Sequence, residues 1–455
     1  MNGAVPLPLD APELAFAASG DALVRRTVLP NGARVLSERV PGARSVTVGF
    51  WVTVGSRDET GADPAHSATY GSTHFLEHLL FKGTPTRSAL DIAVSFDAVG
   101  GEHNAATSKE YTCYYAKVQD KDLPMAVEVI GDMLTSSLID PDEFDNERQV
   151  ILEELAMSDD DPASVASERL YQAVLDGHPL GRPIGGDPQT IRAATREGVW
   201  AHYRENYRPE NIVITAAGAV DHELFVRDAA AALARGEQAS AAPAPRRALE
   251  AADLGYRACV VTVQRPVEQV NLFLGMPGLI ATDERRFALA VLNSVLGGGM
   301  SSRLFQEIRE RRGLAYSVYS FAGAFSDAGL FGIYAGCAPH KAPQVAEIAR
   351  DELRRLAEHG ITGEELRRAS GQLSGASALA LEDSDTRMTR LGRAEISLGE
   401  FADLDESLRR LALVTAADVR ELAEVLTETP ITLAAVGDVD ADAFAGLGFG
   451  GGAAR

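Results

Sequence analysis

A strand that runs into a glycine turn and then an aspartate occurs twice in this chain, about 220 residues apart. The first copy is Asn211 to Ala217 followed by Gly218-Ala219-Val220-Asp221; the second is Ile431 to Val436 followed by Gly437-Asp438-Val439-Asp440. Fixed-period self-similarity constrains a fold more than any local propensity, because each copy must build the same supersecondary unit. A chain of 455 residues is also too long for one core. Around the two copies, strand patterns and helix patterns are mixed rather than strictly alternating, so the expected class is α+β, as two homologous domains. The mixed Ala, Pro, Gln and Ser of residues 236–255 reads as the linker between them. The expected organisation is an N-terminal extension over 1–20, a domain over 21–235, the linker, a second domain over 256–445, and a flexible tail over 446–455.

In the first copy, Val24 to Val28, Ala33 to Glu38 and Ser45 to Gly55 read as strands, with Asn31-Gly32 as a turn. A polar loop over 56–70 leads to Ser72-Thr73-His74-Phe75-Leu76-Glu77-His78-Leu79-Leu80. Ser72 or Thr73 can cap a helix here, and Lys82-Gly83 with Pro85 closes it. On a helix, positions i, i+3 and i+4 share a face, so His74, Glu77 and His78 project together. Two imidazoles one turn apart can hold one zinc ion and leave a carboxylate beside it to handle protons. The order HxxEH inverts HExxH and is that of the inverzincins. Two histidines satisfied by backbone carbonyls on a half-buried helix would be the bland alternative; an acid between the paired imidazoles argues against it.

Catalytic zinc usually has three protein ligands, so a carboxylate is still missing. The helix from Pro141 to about Met157, with Asp140 and Glu143 in a capping pattern, offers one. Glu147, Val150, Ile151 and Glu154 share a face of it, and Glu153 beside Glu154 leaves the choice open by one position. In the second copy, Gly297-Gly298-Gly299-Met300-Ser301-Ser302-Arg303 stands where the first has its metal helix. It carries no histidine pair and matches no phosphate-binding pattern, so close packing or a hinge is the expectation.

Composition removes several classes of function. A formal charge of −22 argues against nucleic acid, whose phosphates need Lys and Arg. No apolar run is long enough to span a membrane. The first 20 residues lack a basic segment ahead of their apolar ones and do not read as a signal peptide. Cys113, Cys259 and Cys337 are scattered and odd in number, which argues for a reducing compartment, by default the cytoplasm, and against thiolate zinc.

Taken together, the chain resembles the M16 (pitrilysin) family of zinc peptidases, especially the group containing the mitochondrial processing peptidase beta subunit and its bacterial relatives. The matching residues are His74 to Thr84, Asn104-Ala105-Ala106-Thr107 with Glu110, Glu147 to Asp161, and Arg309 to Tyr316. The resemblance spans nearly the whole chain apart from its two ends. It implies processing-peptidase-like domains, each a mostly antiparallel sheet packed with helices, together forming half of a clamshell. It implies one zinc per chain on His74, His78 and Glu154, selecting Glu154 over Glu153. Glu77 is then the general base and Glu147 an acid that orients the site. Phe75, Asn104, Ala105 and Thr107 become expected substrate contacts, Asn104 and Ala105 on an edge strand that an extended peptide can join. Arg309 and Tyr316 become contacts to the substrate backbone near the scissile carbonyl. The implied activity is endoproteolysis of unfolded peptides or leader segments inside a dimeric chamber. A homodimer is expected because one chain carries both the metal and the Arg–Tyr motifs; a heterodimer with a metal-less relative is the alternative. The rival reading is a structural or assembly subunit of the same fold. Cobalt or manganese also suits the ligand set. Asp159, Asp160, Asp161 and Glu168 are candidates for favouring basic residues in substrates.

Overall fold

A computed structural model of the chain describes residues 3–61, 68–236, 241–247 and 250–450. It contains two compact units, and neither is one continuous stretch. The first comprises residues 1–155, 183–247 and 378–406; the second comprises 156–182, 248–377 and 407–455. Against the expected division, each unit takes in a segment from the other half of the sequence.

The first unit is built on a seven-stranded sheet. Its order is Glu13–Ala18, Ala22–Val28, Arg34–Arg39, Ile212–Gly218, Ser45–Val52, Thr112–Gln119, Glu102–Thr107. Neighbours are antiparallel except Arg34–Arg39 with Ile212–Gly218. The Asn31-Gly32 turn forms as read, with Gly32 at φ 87°, a value that favours glycine. Ser45–Val52 is buried on both faces from Val46 onward. Val46, Val48 and Phe50 point into the main core with Phe75, Leu76 and Leu79 of the histidine-bearing helix. Trp51 points the other way, into a second cluster with Met388 and Leu391. Those two belong to helix Ser384–Arg393, the late segment that docks on this early sheet. Two glycines permit that approach: a Cβ on Gly49 would meet Met388 Sδ at 2.4 Å, and one on Gly392 would meet the Trp51 ring at 2.4 Å.

The second unit has a five-stranded sheet in the order Ala315–Ala324, Gly329–Cys337, Val270–Pro277, Thr432–Gly437, Val260–Gln264. Here too all pairs are antiparallel except the last, Thr432–Gly437 with Val260–Gln264. This order reproduces the five strands of the first sheet from Glu102–Thr107 to Arg34–Arg39. The repeat seen in the sequence extends to hydrogen bonds. Gly218 (φ 123°) and Gly437 (φ 151°) each accept through their carbonyl from the residue two ahead, Val220 and Val439. Asp221 and Asp440 then each cap the helical turn that follows. Helix Pro162–Val174, an early segment, packs on this sheet, with Leu170 against Gly275.

Between equivalent strands, the helix that corresponds in chain order to Ser72–Leu80 is Arg286–Gly297, not the glycine run itself. That run ends the helix, and a Cβ on Gly297 would meet the Ser320 backbone nitrogen at 2.2 Å, so close packing accounts for it.

The ends of the chain depart from expectation. Within the expected N-terminal extension, Glu13–Ala18 is a sheet strand, Val5–Pro6 pairs with Glu400–Phe401, and Phe16 packs on Phe401 at 5.6 Å. Apolar residues at alternate positions in Glu13–Ala18 have a core to meet, which is why the segment docks. Of the expected tail, Phe449 is buried, and residues 451–455 lie outside those described. The linker is tied to the first unit through Ala244 N–H to Glu210 O (2.9 Å) and Arg247 to Asp58. Among the described residues no helix is long and apolar enough to cross a membrane.

Candidate metal centre and active site

Helix Ser72–Leu80 is amphipathic in the sense that matters here. Phe75, Leu76, Leu79 and Leu80 are wholly buried, whereas His74, Glu77 and His78 keep partial access to solvent. Its start is not capped by Ser72 or Thr73, both of which lie inside the helix. Gly71, at φ 93°, is the N-cap, and the buried carboxylate of Glu59 accepts the backbone N–H of Gly71 (2.8 Å) and of Thr73 (2.7 Å). A full negative charge at a helix N-terminus satisfies unpaired donors and complements the dipole, a stronger cap than a hydroxyl. Thr73 instead shares a hydrogen bond with His202 Nε2 at 3.1 Å.

On the exposed side, His78 Nε2 and His74 Nε2 lie 3.5 and 3.8 Å from Glu154 Oε2. The carboxylate comes from helix Pro141–Asp160, and neighbouring Glu153 points to solvent. The two rings meet edge to face, 4.8 Å apart. One donor atom from each of His74, His78 and Glu154 falls within 4.8 Å of the other two. Ligands held about 2.0–2.2 Å from a tetrahedral zinc stand about 3.3–3.6 Å apart, so this triplet fits that ion with small adjustments. Burial pushes the His74 imidazole down to about 4; His78 adds to the fall and Glu154 opposes it. Neutral imidazole with a free lone pair is the form a metal requires.

Behind the triplet stands a chain of polar contacts. His78 Nδ1 pairs with Glu147 Oε2 at 3.0 Å, and Glu147 Oε1 meets Lys82 Nζ at 2.5 Å. Glu147 thus fixes the tautomer of His78 that presents Nε2 to Glu154, as carboxylates behind metal-binding histidines do. On the other flank, Thr107 donates its hydroxyl to Glu77 Oε2. Desolvation raises the Glu77 pKa, while the Thr107 hydrogen bond and His78 work against the rise.

The other expected residues divide. Thr107 faces the acid between the histidines. Asn104 is exposed and Ala105 half-exposed on Glu102–Thr107, which is an end strand of the sheet. Phe75 does not fit its expected role as a substrate contact: it is fully buried, stacked on Phe144 at 4.4 Å, and has no surface to offer a peptide. Arg309 and Tyr316 do come together in the second unit. The guanidinium lies over the Tyr316 ring at 4.6 Å and donates to the Tyr316 carbonyl at 3.0 Å. Arg309 is in a π-helical turn, Phe305–Glu310, and Tyr316 is the extra residue where the register with Gly329–Cys337 shifts. Tyr316 is 76% exposed. π-turns and bulges commonly re-aim side chains at functional positions. Of the acids after the ligand helix, Asp159 is paired with Arg265 and Asp161 caps the next helix, so both already have structural partners.

Sequence reasoning missed Glu59 and Lys82. Lys82 follows His78 by one helical turn, a spacing that could have marked it. Glu59 lies upstream across a loop partly outside the described residues, and no local pattern singles it out.

Comparison with known proteins bears on the family of the chain. Residues 34–188 match the family described as Insulinase (Peptidase family M16), and residues 193–373 match Peptidase M16 inactive domain. An uncharacterized zinc protease of Streptomyces coelicolor is 50% identical, covering 90% of this chain and 89% of the relative. Another from Bacillus subtilis, YmxG, is 38% identical over 91% and 98%. Among solved structures, a peptidase M16 inactive domain from Pseudomonas fluorescens superposes with a TM-score of 0.83 at 20% identity, covering 92% of this chain and 98% of that one. A Helicobacter pylori protease gives 0.78 at 22% identity over 95% and 100%. The fold and the sequence together define a peptidase-class α+β protein. The chain belongs to peptidase family M16.

Proposed function

We propose that the chain is a zinc-dependent endopeptidase that cleaves unfolded or extended peptides, leader segments among them. The observation that carries this reading is the placement of His78 between Glu154 and Glu147, with Glu77 held beside it by Thr107. A purely structural use of the fold has no need of that arrangement. His74, His78 and Glu154 would hold one zinc ion per chain. When bound, the ion supplies Lewis acidity, polarising the peptide carbonyl and acidifying water.

The remaining work falls to this chain's residues. Glu77 takes a proton from the attacking water and returns it to the departing amine nitrogen. Thr107 holds one oxygen of that carboxylate, which leaves the other for the proton. Glu147, braced by Lys82, keeps His78 oriented. Asn104 and Ala105, on an end strand, align an extended peptide by strand addition. Arg309 and Tyr316 steady its backbone near the bond that breaks, and a second copy of the chain in a clamshell-like homodimer is their source. Three free cysteines suit a reducing compartment such as the cytoplasm.

The test is hydrolysis of an unstructured, Arg-containing 20-residue peptide by wild type and Glu77→Gln at equal zinc content. Cleavage by wild type alone is expected. Zinc binding without cleavage by either would point to a scaffold role and sink the proposal.

A further inference from the structure

The face of the first sheet that receives helix Ser384–Arg393 carries more positive charge than it neutralises. Arg26 and Arg34, on adjacent strands, are each 1% exposed, and Glu395 beside them is fully buried. Glu395 Oε2 lies 3.3 Å from Arg26 Nη1, while its Oε1 lies 3.4 Å from Arg34 Nη1 and 3.1 Å from Arg246 Nη2. One carboxylate therefore serves three guanidiniums. The other buried acid of this face, Glu38, is committed to Arg387 and Arg390 at 2.5 and 3.0 Å.

Backbone carbonyls relieve two of the three. Arg26 Nη2 donates to Pro8 O (2.5 Å) and Ala11 O (2.7 Å), and Arg246 donates to Leu7 O and Glu395 O, both at 2.6 Å. Arg34 has no such relief. Its Nε and Nη2 are buried with no hydrogen-bond partner, and so is Arg26 Nε. Nε and Nη2 form one edge of the guanidinium, two parallel N–H groups shaped to grip an anion. Burying that edge unpaired, beside two more cations, costs far more than burying a neutral unpaired donor.

We propose that the Nε–Nη2 edge of Arg34, backed by Arg26 and Arg246, binds a small monovalent anion of about chloride size. Arg34 is 1% exposed, which leaves no opening for a bulky phosphate ester or metabolite. The anion links the sheet to the chain's beginning, because the arginines it neutralises also hold the carbonyls of Leu7, Pro8 and Ala11.

Full-length protein melted in sodium chloride and in sodium gluconate at equal ionic strength tests this. Chloride should raise the transition of the first unit saturably, by about 2–4 °C, and slow amide exchange in residues 7–12. Bromide-soaked crystals should show an anomalous peak within hydrogen-bonding distance of Arg34 Nε. Arg34→Leu should abolish the chloride dependence without changing zinc content. Identical melting in the two salts with no bromide peak at Arg34 would overturn the proposal, as would peaks confined to exposed arginines. Stabilisation by sulfate but not by chloride would overturn the assigned size and charge. If Arg34→Leu does not fold, the bromide map of the wild type decides.

Discussion

After strand Ser45–Val52 the first unit places a helix that buries four apolar residues and leaves two imidazoles and a carboxylate facing out. After the equivalent strand Val270–Pro277, the second unit places Arg286–Gly297, which has neither histidine nor acid and buries eight of its twelve residues. One sheet topology thus supports a chemically armed helix in one unit and a packing helix in the other. The second unit's distinctive residues stand instead at a π-turn and a bulge, where Arg309 stacks on exposed Tyr316. What separates the units is which side chains they put at shared positions, while the backbone plan is held in common.

Perturbing each unit separately should break this comparison, and the largest effect is expected at Glu77. Glu77→Gln should lower peptide turnover by about 10²–10⁴-fold with zinc retained, read by peptide cleavage and metal analysis side by side. Tyr316→Phe, in the other unit, should cost up to about 10²-fold in turnover and leave zinc affinity untouched. Mixing inactive Arg309→Ala and Glu77→Gln chains should restore part of the activity if two copies share a site; mixtures as dead as their components would refute sharing. Glu147→Gln should weaken zinc binding by about 10–100-fold in a chelator competition, and Lys82→Met should follow in the same direction by less.

Acid should then sharpen the contrast. Burial lowers the pKa of His202 and of His222 to about 4, and both lie in the first unit. Unfolded, each takes up a proton near pH 6.5; folded, it resists until about 4. The stability they confer is therefore complete above pH 6.5 and lost as pH falls towards 4. For His202 the slope reaches about 1.4 kcal/mol per pH unit. Urea unfolding followed by amide exchange should show the first unit yielding earlier than the second across that window; equal acid sensitivity would contradict the assignment.

The fold class, the duplication and the HxxEH face were legible because each is a short-range or periodic pattern. The third carboxylate was legible only in part: helical spacing left Glu153 beside Glu154, and tertiary packing turns Glu154 towards the histidines. Glu59 and the Thr107–Glu77 contact were not legible, since they join elements that only the folded sheet brings together. Phe75 misled for a related reason. It lies between His74 and His78 in sequence, yet the 3.6-residue period sends it to the buried face. The exchanged helices escaped notice because amphipathic periodicity reveals that a helix has an apolar face and says nothing about which sheet receives it.

That exchange bears on how the chain is made. Trp51, Leu36 and Val213 are synthesised early, but Met388 and Leu391, which cover them, leave the ribosome only near the end. At about 5–20 residues per second, the sheet waits roughly 10–35 s after its last strand is complete. During that interval it presents an uncovered apolar face to the cell, a window in which a chaperone has something to hold. Truncation before residue 384 would make the interval permanent.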